Sequence, residues 1–586
     1  MPIPFHRAAA IALACFTVGA FAQGEDFVGV SIGDDGAPRV SYHFPGGTTL
    51  RFTGESSWTE RVREPWWKRD RECFKLQGQD MRLGDTAQCA GRSVRLDWDE
   101  KARDRMYPAL VHLRNGGVLV YAGYLGVATR DDKSIADFVI TAPKGGVVAF
   151  HDRKSATELR IDGATFEHNM TGWFYFGPDR FVEEKSARVL VDDGVPPEAS
   201  RIMNQLSPRL MELYATRLGK PYPRRPVFYL AWNGRDEPGR SWQADVVHGG
   251  DIRFGLAGKG WAHPDRDTLG AFAATVAHEM AHLWNSDLFG RDEESAPWIH
   301  EGNSELVSVA ALLALGEIDA NEAASRIASA TFECQLLAGS RPWKSMWERR
   351  AGRPPYTCGL AMQFAISAAA RRDHPGLDAL AYWRELWRTT STYDEGMFEN
   401  DARRRGDAAL AGAIESMLTG ATPLPEALAK LREMGGITTR APDTAPATLN
   451  KVAARQLMHD VMAADCGGSV SYWTLDDHFH LEWQNGMSCR TLKSGTDVVK
   501  IQGLDAFKEP KLVATSLARS CAGGGKMTIT TRDGNVVDMP CSGATPDPAI
   551  FAPIAFDPAQ VAGVLGSAKP RDGRRAQSGH NATAAY

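Results

Sequence analysis

Long apolar runs are almost missing from this chain of 586 residues, and the one clear example, residues 8–20, lies near its amino terminus. A membrane-spanning helix needs about 20 such residues, so no membrane span is expected in the mature chain. Arg7 precedes the run and Ala20-Phe-Ala22 ends it as a small-x-small cleavage pattern. This arrangement predicts a signal peptide over residues 1–22 and therefore a secreted or periplasmic protein. The alternative, a lipoprotein anchored at Cys15, is disfavoured because Cys15 lies inside the apolar run.

The body of the chain also lacks a long basic run, and its formal net charge is −5. Proteins that bind nucleic acids cluster Lys and Arg on one face, so nucleic acid is not an expected partner. Hydrophobic residues make up 43% of the chain and charged residues 24%, which is typical of a globular protein. The length predicts about two to four domains.

No Cys-x-x-Cys pair occurs, so the usual zinc-finger spacing is excluded. Of the nine cysteines, Cys15 falls in the predicted signal peptide, which leaves eight. An even set in an exported protein predicts disulfides. Pairing each cysteine with its neighbour in sequence closes short loops, each worth about 3 kcal/mol in the loop-entropy account. The predicted pairs are Cys73–Cys89, Cys334–Cys358, Cys466–Cys489 and Cys521–Cys541.

Two histidines four positions apart, His278 and His282, mark the most informative stretch of the sequence, residues 275–285. Positions i and i+4 share one face of a helix, so both imidazoles can bind one ion. Glu279 is turned by about 100° from His278 and can act on a water molecule without being a ligand. A third histidine six residues after His282 is excluded, because Leu288 holds that position.

Glu301 is the candidate third ligand, because 18 residues (283–300) separate it from His282 and a second helix can return over that distance. Two His and one Glu with an open fourth position form a catalytic zinc site. Glu305, one turn later, can accept the second ring N–H of a zinc-bound histidine. The alternative is a pair of solvated histidines on an ordinary amphipathic helix. The Ala-rich flanks disfavour it, since they indicate a buried helix in which unpaired polar groups are costly.

The segment 278–305 resembles the gluzincin zinc metallopeptidases, in particular their aminopeptidase-N-like and glycyl-aminopeptidase-like branch. The resemblance rests on the HExxH-x18-E spacing, on His-x-Trp-Asn at 282–285 and on the Trp-Ile-x-Glu-Gly setting of Glu301. It implies a thermolysin-like, mostly helical catalytic domain, one Zn²⁺ per chain, and a peptide or protein substrate. Asn285 is expected to support the zinc ligands, and His300 is expected to lie at the rim of the site or contact substrate.

The resemblance also implies residues that bind and stabilise the substrate. The family has a Gly-rich edge strand upstream of the zinc helix, with an acidic residue that holds the substrate amine. Gly249, Gly250 and Asp251 occupy this place. The Glu that the family has there is not clearly present, and Asp251 is the candidate that would take its role. Tyr356 lies in Pro355-Tyr-Thr-Cys-Gly359, which resembles the segment of the family's transition-state tyrosine with Cys in place of Lys. The alternative is a tyrosine that only packs.

Periodicity along the chain predicts an α+β multidomain protein. Alternating segments over residues 23–190 predict an N-terminal β-sandwich-like domain, and helical periodicity dominates the catalytic domain over 191–440. Residues 447–566 turn β-rich again and resemble the second half of a PDZ domain, with a plain disulfide-stapled β-domain as the alternative. The polar tail, 567–586, is expected to be disordered. The strands predicted in the first domain are Val28–Ile32, Arg39–His43, Gly117–Tyr121, Phe138–Thr141, Val147–Phe150, Thr157–Ile161 and Trp173–Phe176.

These features together predict an exported zinc-dependent peptidase that hydrolyses peptide bonds with a zinc-activated water molecule. The resemblance favours an aminopeptidase. Glu279 is the expected general base, and Tyr356 is the expected donor to the oxyanion of the intermediate. Two alternatives stay open: a zinc hydrolase of a non-peptide substrate, because the same site activates water against other electrophiles, and a non-catalytic zinc-binding envelope protein.

Overall fold

The chain folds into two units, seen in a computed structural model: one up to Pro178, and one from Asp179 onwards that also takes residues 112–117. The predicted signal peptide and the predicted disordered tail lie outside the described residues. The description covers residues 26–566 except 54–69, 71, 90, 98–106, 130–133, 167–171, 235–238, 248, 290–295, 347, 349–351, 391–393, 443–445, 468–469, 476, 484–486, 523 and 542–545.

The first unit consists of β-strands and two short 3-10 turns in its described part. The strands form three sheets with the orders β13-β10-β1-β2-β6, β12-β11-β14-β8-β7 and β4-β5-β3-β9. Their bounds are β1 Phe27–Ile32, β2 Pro38–His43, β3 Thr49–Phe52, β4 Phe74–Gln77, β5 Asp80–Leu83, β6 Ser93–Arg95, β7 Leu110–His112, β8 Val118–Tyr121, β9 Val127–Thr129, β10 Asp137–Thr141, β11 Val147–Phe150, β12 Arg153–Ser155, β13 Glu158–Ile161 and β14 Trp173–Gly177.

Alternation of apolar and polar residues explains the half-buried strands of this unit. In β2, Val40 and Tyr42 are buried while Arg39 and Ser41 point away from the core. Such alternation places every second side chain on the same face of a sheet. The continuous apolar run of β14 is buried on both faces instead. All seven strands predicted in this region are present.

The second unit opens with a five-stranded sheet in the order β15-β16-β17-β19-β18. Strands β16, β17 and β19 run parallel, and β18 pairs antiparallel with β19 at the edge of the sheet. Parallel neighbours need a crossover, which helix α1 supplies between β16 and β17. The bounds are β15 Val182–Glu183, β16 Arg188–Val191, α1 Pro197–Arg217, β17 Val227–Trp232, β18 Ser241–Val247 and β19 Asp251–Ala257.

A helical region follows, and its buried side chains share one hydrophobic core with those of this sheet. Its first helix carries the two histidines and continues directly into a short π-helix. The bounds are α2 Arg266–His282, the π-helix Leu283–Leu288, α3 Pro297–Leu315, α4 Ala320–Ala338, α5 Pro354–Arg372, α6 Ala379–Thr389, α7 Met397–Arg404, α8 Ala408–Thr419 and α9 Leu424–Met434.

Helices α3 and α5 cross in backbone contact at two glycines. A methyl group built on Gly302 would lie 2.5 Å from the carbonyl carbon of Gly359, and one built on Gly359 would lie 2.6 Å from the oxygen of Trp298. Gln363 of α5 is fully buried and donates through Nε2 to the Trp298 oxygen at 3.0 Å. The crossing therefore fixes α3, which carries Glu301, against the first turns of α5.

We expect Gly302→Ala to destabilise the protein by about 1–3 kcal/mol, because the added methyl meets backbone atoms that no side-chain rotation can move. Thermal unfolding followed by circular dichroism measures the change. Gly412→Ala is the matched control. Gly412 lies in α8 with no atom within 4 Å of an added methyl, so alanine should be neutral or stabilising by up to about 1 kcal/mol. Equal melting temperatures for the two variants would contradict the close backbone contact between α3 and α5 at Gly302.

The remaining chain forms a second five-stranded sheet of this unit, antiparallel in the order β21-β22-β23-β24-β25, together with helices α10 and α11. Phe332 and Leu336 of α4 belong to its hydrophobic cluster. Strand β26 then pairs with β20, and α12 packs into the helical core. The bounds are β20 Thr439–Arg440, α10 Ala447–Asp465, β21 Tyr472–Thr474, β22 Phe479–Leu481, β23 Asp497–Ile501, α11 Pro510–Cys521, β24 Lys526–Thr531, β25 Val536–Pro540, β26 Ala555–Phe556 and α12 Pro558–Leu565. The PDZ resemblance stays a prediction.

All four predicted disulfides are present, with each cysteine joined to its neighbour in sequence. The Cys334–Cys358 bond joins α4 to the second turn of α5. In the part of the chain that the structure covers, no helix combines the length and apolar character that crossing a membrane requires.

Candidate active site

Helix α2 places the two histidines on one buried face. Asp265 begins the helix, and its side chain accepts a hydrogen bond from the Thr268 backbone N–H at 2.7 Å. Phe272 is fully buried against the core, and His278 and His282 are only 6% and 8% exposed. The helical spacing therefore turns both imidazoles inward from the same face, as the sequence predicts.

Glu301 of α3 meets these imidazoles, so three side chains converge at one point. His278 Nε2 and His282 Nε2 lie 3.1 Å apart, and Glu301 Oε2 lies 3.3 and 3.4 Å from them. Ligands at about 2.0–2.1 Å from a tetrahedral zinc ion are about 3.3 Å from one another, so the spacing matches a zinc shell. Among the described residues, the buried Glu301 Oε2 accepts no hydrogen bond of good geometry. The donor set therefore fits a divalent cation.

Charge is balanced within this cluster. Burial opposes a charge on His278, but the neighbouring Glu301 and Glu305 carboxylates outweigh it and raise the pKa of this imidazole above its ordinary value. Burial also opposes ionisation of Glu301, but His282 and His278 outweigh it and hold the pKa of the carboxyl below its ordinary value. Glu301 therefore stays an anionic carboxylate, the form in which it can bind a metal.

The outer nitrogens of both imidazoles face acceptor atoms. Asn285 Oδ1 lies 3.0 Å from His282 Nδ1. Glu305 Oε1 lies 3.3 Å from His278 Nδ1, within ion-pair distance but without hydrogen-bond geometry. Acceptors at Nδ1 favour the tautomer that leaves Nε2 free to bind a metal. Ser304 Oγ lies 3.1 Å from the same nitrogen of His282 and accepts from Asn285 Nδ2 at 2.9 Å. The sequence placed Glu305 and Asn285 here but missed Ser304.

The π-helix after His282 explains the position of Asn285. In a π-helix the hydrogen bond closes one residue later than in an α-helix, and such turns are frequent at functional sites. Asn285 is fully buried three residues after His282, and its Nδ2 also donates to the His300 backbone oxygen at 3.0 Å. This amide therefore joins α3 to the end of α2.

Glu279 and Tyr356, the two predicted catalytic residues, border the same point. Burial raises the pKa of Glu279, and both histidines act on its charge. The Tyr356 ring stacks on the His278 ring with centroids 5.7 Å apart, and 38% of the residue remains exposed. Burial and the nearby Glu301 carboxylate raise the pKa of the Tyr356 hydroxyl, so it stays a protonated donor. Both side chains are brought to the cluster.

His300 differs from its expected position. It is 5% exposed and stacks on the His282 ring with centroids 4.3 Å apart. The sequence placed it at the rim of the site or in contact with substrate. This expectation is wrong, because the first turn of α3 buries the imidazole behind His282 rather than exposing it.

The edge strand beside the site also lies elsewhere than expected. Gly249 and Gly250 form the turn between β18 and β19, with φ angles of 110° and 102° that favour glycine. Asp251 starts β19, an inner strand, and is fully buried. None of the three lies on the sheet edge, because the edge strand is the preceding segment, β18. Asp251 is therefore not on the strand with which a substrate backbone could pair.

Strand β18 runs past helix α2, which carries the two histidines. Trp242 Nε1 donates to Thr275 Oγ1 at 3.0 Å, one turn before His278. Asp245, further along β18, forms a buried ion pair with Arg253 and acts electrostatically on Glu279. The edge of the sheet thus passes the site at the level of residues 242–245.

Comparisons with known proteins give structural matches alone. No protein-family model matches the chain, and no curated protein does. The structure is similar to an aminopeptidase N family protein from Idiomarina loihiensis, with a TM-score of 0.60 and 12% identity over 93% of this chain and 100% of that one. An M1 zinc metallopeptidase from Deinococcus radiodurans matches with a TM-score of 0.37 and 14% identity over 68% and 95% of the chains. Yeast LTA4 hydrolase matches with a TM-score of 0.40 and 12% identity over 75% and 72%.

Proposed function

We propose that this chain, which has an aminopeptidase-N-like gluzincin fold, is a zinc-dependent peptidase. One observation carries the proposal. The donor atoms of His278, His282 and Glu301 all lie within 4.8 Å of one another, while Glu279 and Tyr356 border the same point. A zinc shell of two His and one Glu beside a free carboxylate and a phenol is the equipment for hydrolysing an amide.

His278, His282 and Glu301 would hold the ion, with Glu305 and Asn285 orienting the imidazoles. A zinc ion bound there would supply an electrophile that polarises a carbonyl group and makes a water molecule more acidic. Two neutral imidazoles and one carboxylate leave the bound ion with a net positive charge. This positive charge would allow the ion to polarise the carbonyl group and to acidify the water molecule.

Glu279 is the proposed general base. Its carboxylate takes a proton from the water that attacks the carbonyl carbon and then delivers the proton to the leaving amine. Burial raises the pKa of Glu279, so its carboxylate takes the proton of the attacking water more readily than a fully solvated carboxylate would. Tyr356 donates its hydroxyl to the carbonyl oxygen as negative charge develops there.

Strand β18 is the proposed partner of the substrate backbone, because it is the sheet edge that passes Glu279. An extended peptide that adds to an exposed edge gains main-chain hydrogen bonds without demanding a particular sequence. Asp245 is the acidic residue of this strand and the candidate to attract a substrate α-amine; its nearly buried side chain also pairs with Arg253. With the likeness to an aminopeptidase N family protein, this supports an aminopeptidase.

Cleavage of a peptide panel by the purified mature protein tests the proposal. The panel contains each peptide with a free and with an acetylated amino terminus, with and without a chelator. We expect cleavage of the free peptides, loss of activity with the chelator, and recovery on adding Zn²⁺. Equal cleavage of acetylated peptides would overturn the aminopeptidase assignment. No cleavage of any peptide by the zinc-loaded protein would overturn the peptidase.

Export completes the proposal. Disulfides persist in oxidising compartments such as the periplasm and the extracellular space. The four disulfides fit that environment, and they support the secreted or periplasmic location that the predicted signal peptide indicates.

A further inference from the structure

A hairpin of the β21–β25 sheet lies against the beginning of the edge strand β18. Its two strands are β21 and β22; Trp473 lies on β21, and Leu475 follows β21 directly. A methyl group built on Gly239 would lie 3.1 Å from Trp473 Cε3 and 3.5 Å from Leu475 Cδ2. Gly239 is two residues before Ser241, where β18 begins. Trp473 and Leu475 therefore contact the chain at the entry to β18.

The same hairpin is also connected to the helix that carries Tyr356. The Tyr472 hydroxyl donates to the Arg455 backbone oxygen at 2.8 Å, and Arg455 Nη2 lies 3.8 Å from Glu333 Oε2. Glu333 accepts from Arg353 Nη2 at 2.8 Å. Arg353 is three residues before Tyr356, at the start of α5. The hairpin thus contacts the entry to β18 directly, and it is linked to the start of α5 through Arg455 and Glu333.

Trp473 is held in a defined orientation. Its indole Nε1 donates to Glu482 Oε2 at 2.8 Å, and both strands of the hairpin pair antiparallel. Gly239 lets the indole approach the backbone closely, since a side chain at that position would occupy the contact. The hairpin therefore presents a fixed apolar surface rather than a mobile loop side chain.

Strand β18 sets the direction in which a substrate would pair. Its beginning lies at the hairpin, and Asp245, further along it, is near enough to act electrostatically on Glu279. A peptide that adds antiparallel, the more stable pairing per residue, has its carboxyl-side residues along 241–244 and pointing towards Trp473. At about 3.4 Å per residue, this stretch accommodates about four substrate residues.

We propose that the β21–β22 hairpin closes the cleft on the carboxyl side of the scissile bond, so that the enzyme prefers short peptides with about four or fewer residues after that bond. Trp473 and Leu475 form the closing surface. The inference rests on the proposed peptidase function and adds the substrate class, small peptides rather than folded proteins or long chains.

A series of peptides with one fixed amino-terminal residue and one to eight alanines after it tests the proposal. For the wild type, kcat/KM should fall by about tenfold or more beyond about four alanines. Trp473→Ala should restore most of the lost kcat/KM for the long peptides and leave that of the dipeptide within about twofold. Leu475→Ala, in a partly exposed position, should restore a smaller part and serves if Trp473→Ala does not fold.

Leu512→Ala is the matched control, because Leu512 is 54% exposed on α11 of the same sheet assembly. It should keep the length dependence of the wild type. A wild-type profile that is flat with length would overturn the proposal. So would a length dependence that persists in folded Trp473→Ala and Leu475→Ala variants. In both cases the peptides are still cleaved, so the peptidase assignment stands; cleavage of none of them would instead defeat the proposed function.

Discussion

Glu279→Gln should lower kcat by roughly 10²- to 10⁴-fold, the contribution of a positioned general base, while the protein keeps its zinc. Glutamine has nearly the same shape but accepts no proton at neutral pH. The Glu279 side chain is not one of the three converging donors, so metal content should not change. Burial already favours the neutral form of Glu279 by raising its pKa, so a neutral amide there should not lower the stability.

Steady-state kinetics and metal analysis of the same preparation measure both parts of this prediction. Glu317→Gln is the matched control, because Glu317 forms an ion pair with Arg209 on the surface, away from the cluster. Surface pairs contribute at most about 1 kcal/mol to stability, so this variant should keep wild-type kcat. If Glu279→Gln with bound zinc retained turnover within about tenfold of wild type, Glu279 would not be the base.

Tyr356→Phe should lower kcat by roughly 10²- to 10³-fold, about 3 kcal/mol of transition-state stabilisation. The phenylalanine ring keeps the stacking on His278 and loses only the hydroxyl. That hydroxyl matters when charge develops on the carbonyl oxygen, so KM should change little. The hydroxyl stays protonated, because burial and Glu301 raise its pKa, and the loss should therefore be the same across neutral pH.

Tyr214→Phe provides the comparison. The Tyr214 hydroxyl is buried and donates to the Ala277 oxygen at 2.9 Å, directly before His278 on the same helix. Removing it should cost about 1 kcal/mol of stability but leave kcat near that of wild type. A KM increase in Tyr356→Phe with unchanged kcat would assign Tyr356 to substrate binding instead of transition-state stabilisation.

The convergence of His278, His282 and Glu301 could be predicted from the sequence because its geometry is local. His278 and His282 share a helix, so their spacing alone brings the imidazoles together. Glu301 and Glu305 lie on the next helix, α3. Because the connection is short, α3 can pack against α2 in only a few ways. The disulfide pairs were predictable for a similar reason, since each closes a loop between neighbours in sequence.

The identity of the edge strand next to the site was not predictable because it depends on the order of strands in the sheet. The sequence predicts an edge strand at Gly249 and Gly250, but these residues form the turn between β18 and β19, and the edge strand is β18. Nothing in the sequence states which of two adjacent apolar segments lies at the edge. Ser304 was missed for a related reason: its contact with His282 depends on how α3 is rotated against the π-helix. The short strands β3 to β7 gave too few residues for a clear alternation.

Zinc content is the most direct test of the central claim that His278, His282 and Glu301 form one metal site. Mass spectrometry of the protein after equilibration with Zn²⁺ and removal of free ion gives the stoichiometry. We expect about one zinc per chain, bound tightly enough to survive dialysis, as a three-ligand catalytic site requires. A purified, folded protein that holds no zinc under these conditions would contradict the account.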